Sequence, residues 1–411
     1  MTVPVGAVLR GVPNPRRTAP RDGWAERVAR VLGAPWLVAA SLALAAAGAI
    51  AVYAATYAGL LSSGSSPYRY VVHDLINLTV AIALGAAASA VGYRTVCRYG
   101  LVAFGAAVAA LLLVLSPLGT KVNGASAWFA LGPVQLEPSQ LSVLAAIVLL
   151  ARLLDDPRAD GKKLTIRRVA LPLLLVALAA LLILAEPALG MALVMVAVVS
   201  AVVALSGLTG KAMLVLVVAA VALVLTGMQL HVVKPYQQQR LTAFLHPNAS
   251  TDSGYQTSES MIAVGSGGTA GTGLLKGAQT NGSFVPEQRT DFIFTVVAEE
   301  TGFVGSVVLL GLLSAICLGA LRIAARARDR GGQLFGTGVA IWFAVQTFVN
   351  VGMTLGIMPV TGIPLPFISY GGSGLFVDVV AVGLLCSISR EQRPTRRTTG
   401  ATKVEPLSAF A

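Results

Sequence analysis

The chain has 411 residues, of which 55% are hydrophobic and only 12% are charged, and its mean hydropathy is +0.77. Soluble globular proteins carry about 25% charged residues, so this composition excludes most soluble folds, and its hydrophobicity excludes a disordered chain. The composition therefore indicates an all-α polytopic membrane protein. The net charge of +12 requires no nucleic-acid partner if the basic residues lie on one side of the membrane.

A transmembrane helix needs about 20 consecutive, mostly apolar residues. Ten segments have this pattern and predict a bundle of about ten transmembrane helices. In chain order they are 35–57, 70–92, 99–118, 138–153, 169–186, 188–207, 212–230, 292–321, 334–357 and 368–389. The lead before the first segment has 34 residues, which is too long for the charged lead of a signal peptide. Residues 1–34 and 390–411 are thus predicted to be basic tails that flank a membrane domain at 35–389.

Lysine and arginine are distributed unevenly between the two sets of connecting segments. With the N-terminus in the cytoplasm, 24 of the 30 basic residues lie on the cytoplasmic side. This excess satisfies the positive-inside rule. The sequence therefore predicts a multi-pass protein of the cytoplasmic membrane with both termini inside. The six remaining basic residues, all outside, are Arg69, Lys121, Lys234, Arg240, Lys276 and Arg289.

Residues 231–291 form the longest polar stretch, a large extracytoplasmic loop between the seventh and eighth predicted helices. Connections of this length are functional or disordered, and the apolar residues Phe244, Met261 and Phe284 favour a packed, partly re-entrant cap. The glycine-rich run at 265–277 predicts tight turns and close backbone approach, or backbone amides that line a phosphate or sugar site. It lacks the Gly-Lys-Ser/Thr ending of a nucleotide-binding P-loop.

Three cysteines and three histidines are scattered along the chain without the spacing of a disulfide framework or a metal site. No structural metal is predicted. A divalent cation is left open as a cofactor.

Ordered motifs stand in the outside segments. The most specific are Asn123-Gly124-Ala125 with Trp128, Gly254-Tyr255-Gln256, Pro286-Glu287 with Thr290-Asp291-Phe292, and the run at 359–373. From residue 52 to residue 390, the chain resembles the shape, elongation, division and sporulation (SEDS) family, the RodA and FtsW group of peptidoglycan polymerases. Asn350-Val351-Gly352-Met353-Thr354 resembles RodA more than FtsW.

The residues that depart from the family pattern are Glu137, Gln140, Val143, Glu186, Ala188, Met191 and Arg289. The family usually reads Gln-Pro-Ser-Glu where this chain reads Glu137-Pro138-Ser139-Gln140, and histidine where it has Arg289. These departures leave the expected fold unchanged but bear on activity and substrate preference.

The resemblance implies an inverting glycosyltransferase that joins lipid II units into glycan strands on the outer membrane face, for cell shape, elongation or division. It also implies a class B penicillin-binding protein as transpeptidase partner. The polyprenyl diphosphate on the donor is already a good leaving group. The reaction therefore needs one base for the acceptor hydroxyl and cations or amides for the departing phosphates. A lipid II flippase and a non-catalytic scaffold for a transpeptidase are the alternatives.

The resemblance makes Asp291 the expected catalytic residue, whereas the residues alone also allow Thr290 or Asp291 to cap the following helix. The expected substrate-binding residues are Trp128, Arg240, Lys121, Glu287, Glu299, Gln256, Ser369 and Tyr370.

Each of these substrate-binding residues has a structural alternative. Arg240 and Lys121 suit diphosphate but could equally extend to lipid headgroups, and Trp128 could be an interfacial aromatic residue. Glu287 could be a solvated loop acid. At about 100° per residue, Glu299 lies about 80° around its helix from Asp291, which makes it a closer neighbour of the site than Glu300.

Overall fold

The computed structural model describes residues 32–122, 125–131, 134–155, 166–186, 188–207 and 252–392, together with the single residues 214, 218 and 244. The helices of this part are α1 Pro35–Ser62, α2 Arg69–Val91, α3 Tyr93–Arg98, α4 Gly100–Val114, α5 Pro138–Leu153, α6 Ile166–Ala185, α7 Leu189–Leu205, α8 Asp252–Ser266, α9 Ala278–Gly282, α10 Ile293–Ala325, α11 Arg330–Thr354 and α12 Gly372–Glu391. The strands are β1 Thr120–Val122, β2 Ala125–Leu131 and β3 Val134–Leu136. The prediction of a helical polytopic membrane protein is confirmed.

Nine of the ten predicted segments coincide with described helices to within a few residues at each end. The remaining segment, 212–230, lies outside the described residues, as do most of the tails and the first part of the large loop. Among the described helices, α1, α2, α10, α11 and α12 are long and apolar enough to cross a membrane. Shorter apolar helices include α4, α5 and α7.

The centre of the bundle is formed by α5, α7, α11 and α12, whose inward faces are fully buried. Close packing there depends on small residues, as is common between membrane helices. A Cβ atom on Gly383 of α12 would lie 2.2 Å from the carbonyl oxygen of Gly85 on α2. This contact allows α2 and α12 to lie side by side, and both helices then reach the site described below.

A small sheet that the sequence analysis did not predict precedes α5. The strands pair in the antiparallel order β1-β2-β3, with Phe129 opposite Leu136. The three strands are short, and the residues between them, 123–124 and 132–133, lie outside the described part of the chain. The sheet positions Trp128 and Glu137 beside the membrane helices.

Gly302 interrupts α10, which the sequence had predicted to be continuous in this region. Its φ of 68° and ψ of −162° lie in a region that is essentially restricted to glycine. The break leaves two carbonyl groups and two N–H groups without helical partners, and the loop before α9 pairs with all four. These hydrogen bonds run from Thr272 N to Glu299 O (3.0 Å), Gly273 N to Glu300 O (3.0 Å), Phe303 N to Gly268 O (2.9 Å) and Val304 N to Thr269 O (3.1 Å).

The glycine-rich run therefore serves close backbone approach rather than lining the cavity described below. A Cβ atom on Gly267 would lie 2.0 Å from the carbonyl oxygen of Ala298, and one on Gly271 would lie 2.1 Å from that of Glu300. Because backbone polar groups at membrane depth must be paired within the protein, this interlocked loop makes the broken helix tolerable. It also fixes the part of α10 that follows Asp291.

Candidate functional site

A cavity of about 560 Å³ lies where α2, the small sheet, α5, α11 and α12 converge with the segment that precedes α10. Five residues that the sequence analysis selected line this cavity, although they are far apart in the chain. They are Trp128, Glu287, Asp291, Ser369 and Tyr370. The tertiary structure thus places the expected catalytic aspartate and four expected binding residues around one space.

The other expected binding residues have different locations. Gln256, on α8, and Glu299, on α10, do not form part of the cavity wall. Lys121 belongs to β1 by its backbone, but its side chain is not among the described parts of the chain. Arg240 lies outside the described residues.

The carboxylate of Glu299 is fully buried and accepts three hydrogen bonds from α9. The donors are the backbone N–H of Gln279 (2.8 Å), the backbone N–H of Thr280 (2.9 Å) and the hydroxyl of Thr280 (2.6 Å). A carboxylate at a helix N-terminus satisfies unpaired N–H groups and the helix dipole. Glu299 therefore anchors α9, while Glu300 accepts a hydrogen bond from Leu275 N at 3.0 Å.

Asp291 is half-buried and lies just before α10. The N-cap position of this helix is occupied by Phe292, so neither Thr290 nor Asp291 is the N-cap residue. The Thr290 hydroxyl instead donates to the backbone carbonyl (3.1 Å) and the carboxylate (3.2 Å) of Glu287. Glu287 is exposed and has a φ of 51°, which is uncommon for a residue with a side chain.

Three successive carbonyl groups at 289–291 are each held by a donor from a distant part of the chain. The backbone N–H of Tyr370 donates to Arg289 O at 3.0 Å, and the hydroxyl of Ser369 donates to Thr290 O at 2.6 Å. The side-chain amide of Asn350 donates to Asp291 O at 2.7 Å. These bonds fix the backbone from which the Asp291 carboxylate projects. Ser369 and Tyr370 thus act on the aspartate segment as well as forming cavity wall.

Asn350 is a functional candidate for which the sequence predicted no role beyond membership of a RodA-like motif. It is fully buried on α11, and its Nδ2 atom also donates to Ile363 O at 2.7 Å. The available signal was an amide side chain within an apolar span, since polar residues inside membranes are costly and tend to be functional. The sequence could not reveal that this amide connects Asp291 to the 361–373 segment.

Basic and acidic side chains occupy the same cavity wall. Arg69, His73 and Arg289 supply nitrogen groups on the wall that also includes Asp291. Glu186, one residue after the end of α6, is fully buried on this wall, and Glu137, the N-cap residue of α5, lies on it as well. In the described parts of the chain, no group of three or more His, Cys, Asp or Glu side chains is placed to hold a metal ion.

Comparison with known proteins gives a consistent assignment. A family model described as a cell cycle protein, which unites FtsW, RodA and SpoVE, matches residues 35–394. The probable peptidoglycan glycosyltransferase FtsW of Coxiella burnetii is 34% identical over 87% of this chain and 96% of its own length. The peptidoglycan glycosyltransferase MrdB of Escherichia coli K12 is 36% identical over 69% of this chain and 76% of its own length.

One solved structure is described as showing the structural coordination of polymerization and crosslinking by a peptidoglycan synthase complex. Its matching chain is 31% identical and superposes with a TM-score of 0.70, over 87% of this chain and 97% of its own length. The fold is therefore the same over nearly the whole membrane part. Because the family model joins FtsW and RodA, the closer resemblance to RodA stays a prediction.

Proposed function

The chain belongs to the FtsW, RodA and SpoVE family, as its motifs predict, and we propose that this peptidoglycan glycosyltransferase polymerises lipid II into glycan strands. The observation that carries the proposal is the cavity whose wall includes Asp291, Trp128 and Arg289. A carboxylate base and cations are groups that this transfer requires, and an aromatic side chain offers a face for a sugar ring.

In the proposed reaction, the Asp291 carboxylate takes the proton of the acceptor hydroxyl as this oxygen attacks the anomeric carbon of the donor. A glycosidic C–O bond forms while the C–O bond to the diphosphate breaks, and the electron pair leaves with the diphosphate. A positioned general base typically contributes about 10²–10⁴-fold to such a rate. The indole of Trp128 presents an apolar face against which a sugar ring can lie.

The mechanism depends on a fixed carboxylate, because a base must lie within hydrogen-bonding distance of the proton that it removes. The three hydrogen bonds to the carbonyls at 289–291 supply this fixation. Distortion of the segment would move the carboxylate without removing it. Ser369 and Asn350 are therefore proposed to be positioning residues of the reaction.

We further propose that the cavity opens to the outer face of the cytoplasmic membrane and that the termini lie in the cytoplasm. The distribution of lysine and arginine supports this orientation. A class B penicillin-binding protein is the proposed partner, with support from the similarity to a chain of a peptidoglycan synthase complex. In this arrangement the new strand would emerge on the side where crosslinking takes place.

The decisive experiment uses the purified full-length protein, alone and with a class B penicillin-binding protein, supplied with lipid II. Asp291→Asn is expected to abolish polymer formation while leaving expression and elution volume unchanged. Asp252→Asn is the matched control, because Asp252 is an exposed acid of α8 outside the cavity wall. Polymer made by Asp291→Asn at the unmodified rate would remove Asp291 from its role. Absence of polymer from the unmodified protein under both conditions would contradict the activity and favour a flippase or a scaffold.

A further inference from the structure

Arg289 is the cavity cation whose position is most completely determined. Its guanidinium carbon lies 4.6 Å from the centre of the Tyr70 ring, and its Nη1 atom donates to the Tyr70 hydroxyl at 3.1 Å. The Tyr70 ring in turn packs edge-to-face against Tyr370 at 5.3 Å and 85°. Tyr370 also holds the Arg289 carbonyl through its backbone N–H. Two tyrosines thus fix both the backbone and the side chain of this arginine.

The guanidinium retains binding capacity in this position. A guanidinium has five N–H donors. Within the described part of the chain, one of them is engaged by the Tyr70 hydroxyl, and Nε is buried without a hydrogen-bond partner. Among the described residues Arg289 forms no ion pair with a carboxylate. A guanidinium that stacks on an aromatic ring and lies on the wall of a cavity is suited to an anion that enters from outside the protein.

Other groups on the same wall favour an anion with several charges. Arg69 precedes Tyr70 and also lines the cavity, as does His73 one turn further along α2. The N-terminus of α12, a helix of 20 residues, faces the cavity through Gly372 and Ser373, and helix N-termini attract phosphate groups. The acidic side chains of the wall are Glu137, Glu186, Glu287, Asp291 and Asp378, and of these Glu287 and Asp291 belong to the same segment as Arg289.

We propose that Arg289, stacked on Tyr70, binds the diphosphate of the polyprenyl diphosphate donor, with Arg69 completing the subsite. This assignment rests on the proposed glycosyl transfer and deepens it by naming the leaving-group residue. Arg289 is two positions from Asp291, so base and leaving-group cation project from one clamped segment. Tyr70 is a positioning residue, because it acts through the arginine.

The test measures binding of geranylgeranyl diphosphate and geranylgeranyl monophosphate to the purified, detergent-solubilised full-length protein by calorimetry. The unmodified protein is expected to prefer the diphosphate. Arg289→Ala should weaken diphosphate binding at least 10-fold and monophosphate binding much less. Arg289→Lys should retain only part of the diphosphate binding, because an ammonium group lacks the planar pair of N–H donors that binds two phosphate oxygens. Tyr70→Phe keeps the ring but loses the hydroxyl, and it should lower the preference for diphosphate by a smaller factor.

Lys276→Ala is the matched control, since Lys276 is an exposed basic residue of the same loop outside the cavity wall. Equal losses for Lys276→Ala and Arg289→Ala would mean that bulk charge, not a subsite, binds the lipid. Unchanged preference in Arg289→Ala would overturn the assignment. If Arg289→Ala does not elute as a folded protein, Arg289→Lys and Tyr70→Phe decide the question.

The binding measurement is independent of turnover. Arg289-dependent diphosphate binding by a protein that makes no polymer would refute the proposed polymerisation and leave the subsite standing. Polymer formation with Arg289-independent diphosphate binding would refute the subsite alone.

Discussion

Replacement of Asn350 by alanine tests whether the clamp on the 289–291 segment serves catalysis. Its buried amide nitrogen donates to Asp291 O and to Ile363 O, each at 2.7 Å. A neutral hydrogen bond contributes about 1 kcal/mol net, and a buried carbonyl left without its donor costs about 1–3 kcal/mol. Loss of both bonds, which leaves two carbonyls without this donor, should therefore cost about 2–6 kcal/mol. This free energy is divided between the stability of the fold and the position of the Asp291 carboxylate.

We expect Asn350→Ala to lower the polymerisation rate at least tenfold, because each tenfold change corresponds to only about 1.4 kcal/mol of activation free energy. The temperature of thermal unfolding in detergent should decrease as well. Asn350→Asp has nearly the same shape but replaces the donating amide with an acceptor, so it should be at least as impaired as Asn350→Ala. Turnover is measured with lipid II as substrate, and thermal unfolding is measured on the same preparation of purified protein.

Thr354→Val is the matched control for Asn350. Thr354 is equally buried on α11, but its hydroxyl bonds within its own helix, to Val351 O at 2.7 Å. The control should lose some stability and keep its turnover. Unmodified turnover in Asn350→Ala, or an equal loss of turnover in Thr354→Val, would refute the claim that this clamp positions the aspartate.

The remaining predictions concern the helix break and the orientation. Gly302→Ala should strongly lower the unfolding temperature, because the φ of Gly302 is 68° and a Cβ atom there would lie 2.2 Å from Gly271 N. Gly311 lies in α10 with open space around it, so Gly311→Ala should be neutral or stabilise the protein by about 0.5–1 kcal/mol. Similar melting curves for the two variants would contradict this account of the break. The orientation is tested in a variant without the native cysteines. In intact cells, Ser283→Cys should react with a membrane-impermeant thiol reagent and Arg328→Cys should not. The reverse labelling pattern would invert the proposed orientation.

Hydropathy alone was sufficient for most of the bundle, because the need to match the hydrocarbon thickness acts on each segment separately. For the same reason nine predicted segments coincide with described helices. The hydropathy pattern did not predict the interruption of α10 at Gly302. An apolar run reads as one helix unless the partners of its freed backbone groups are known, and those partners lie in the glycine-rich loop.

The motifs also indicated which residues surround the cavity, but not what each side chain does there. Ser369 was expected to bind substrate, and its hydroxyl holds Thr290 O, 79 residues away in the chain. Helix periodicity predicted that Glu299 lies near Asp291, yet its carboxylate accepts hydrogen bonds from α9 and does not line the cavity.

Sequence by itself determined the class of protein, the family and the segment that carries Asp291, since these depend on composition and on ordered local motifs. Only the tertiary structure decided that Arg289 stacks on Tyr70 and that Asn350 reaches Asp291. Such contacts join residues separated by 59 to 219 positions. They depend on how helices pack around small residues and where backbone groups remain unpaired, and neither is encoded in the pattern of any one segment.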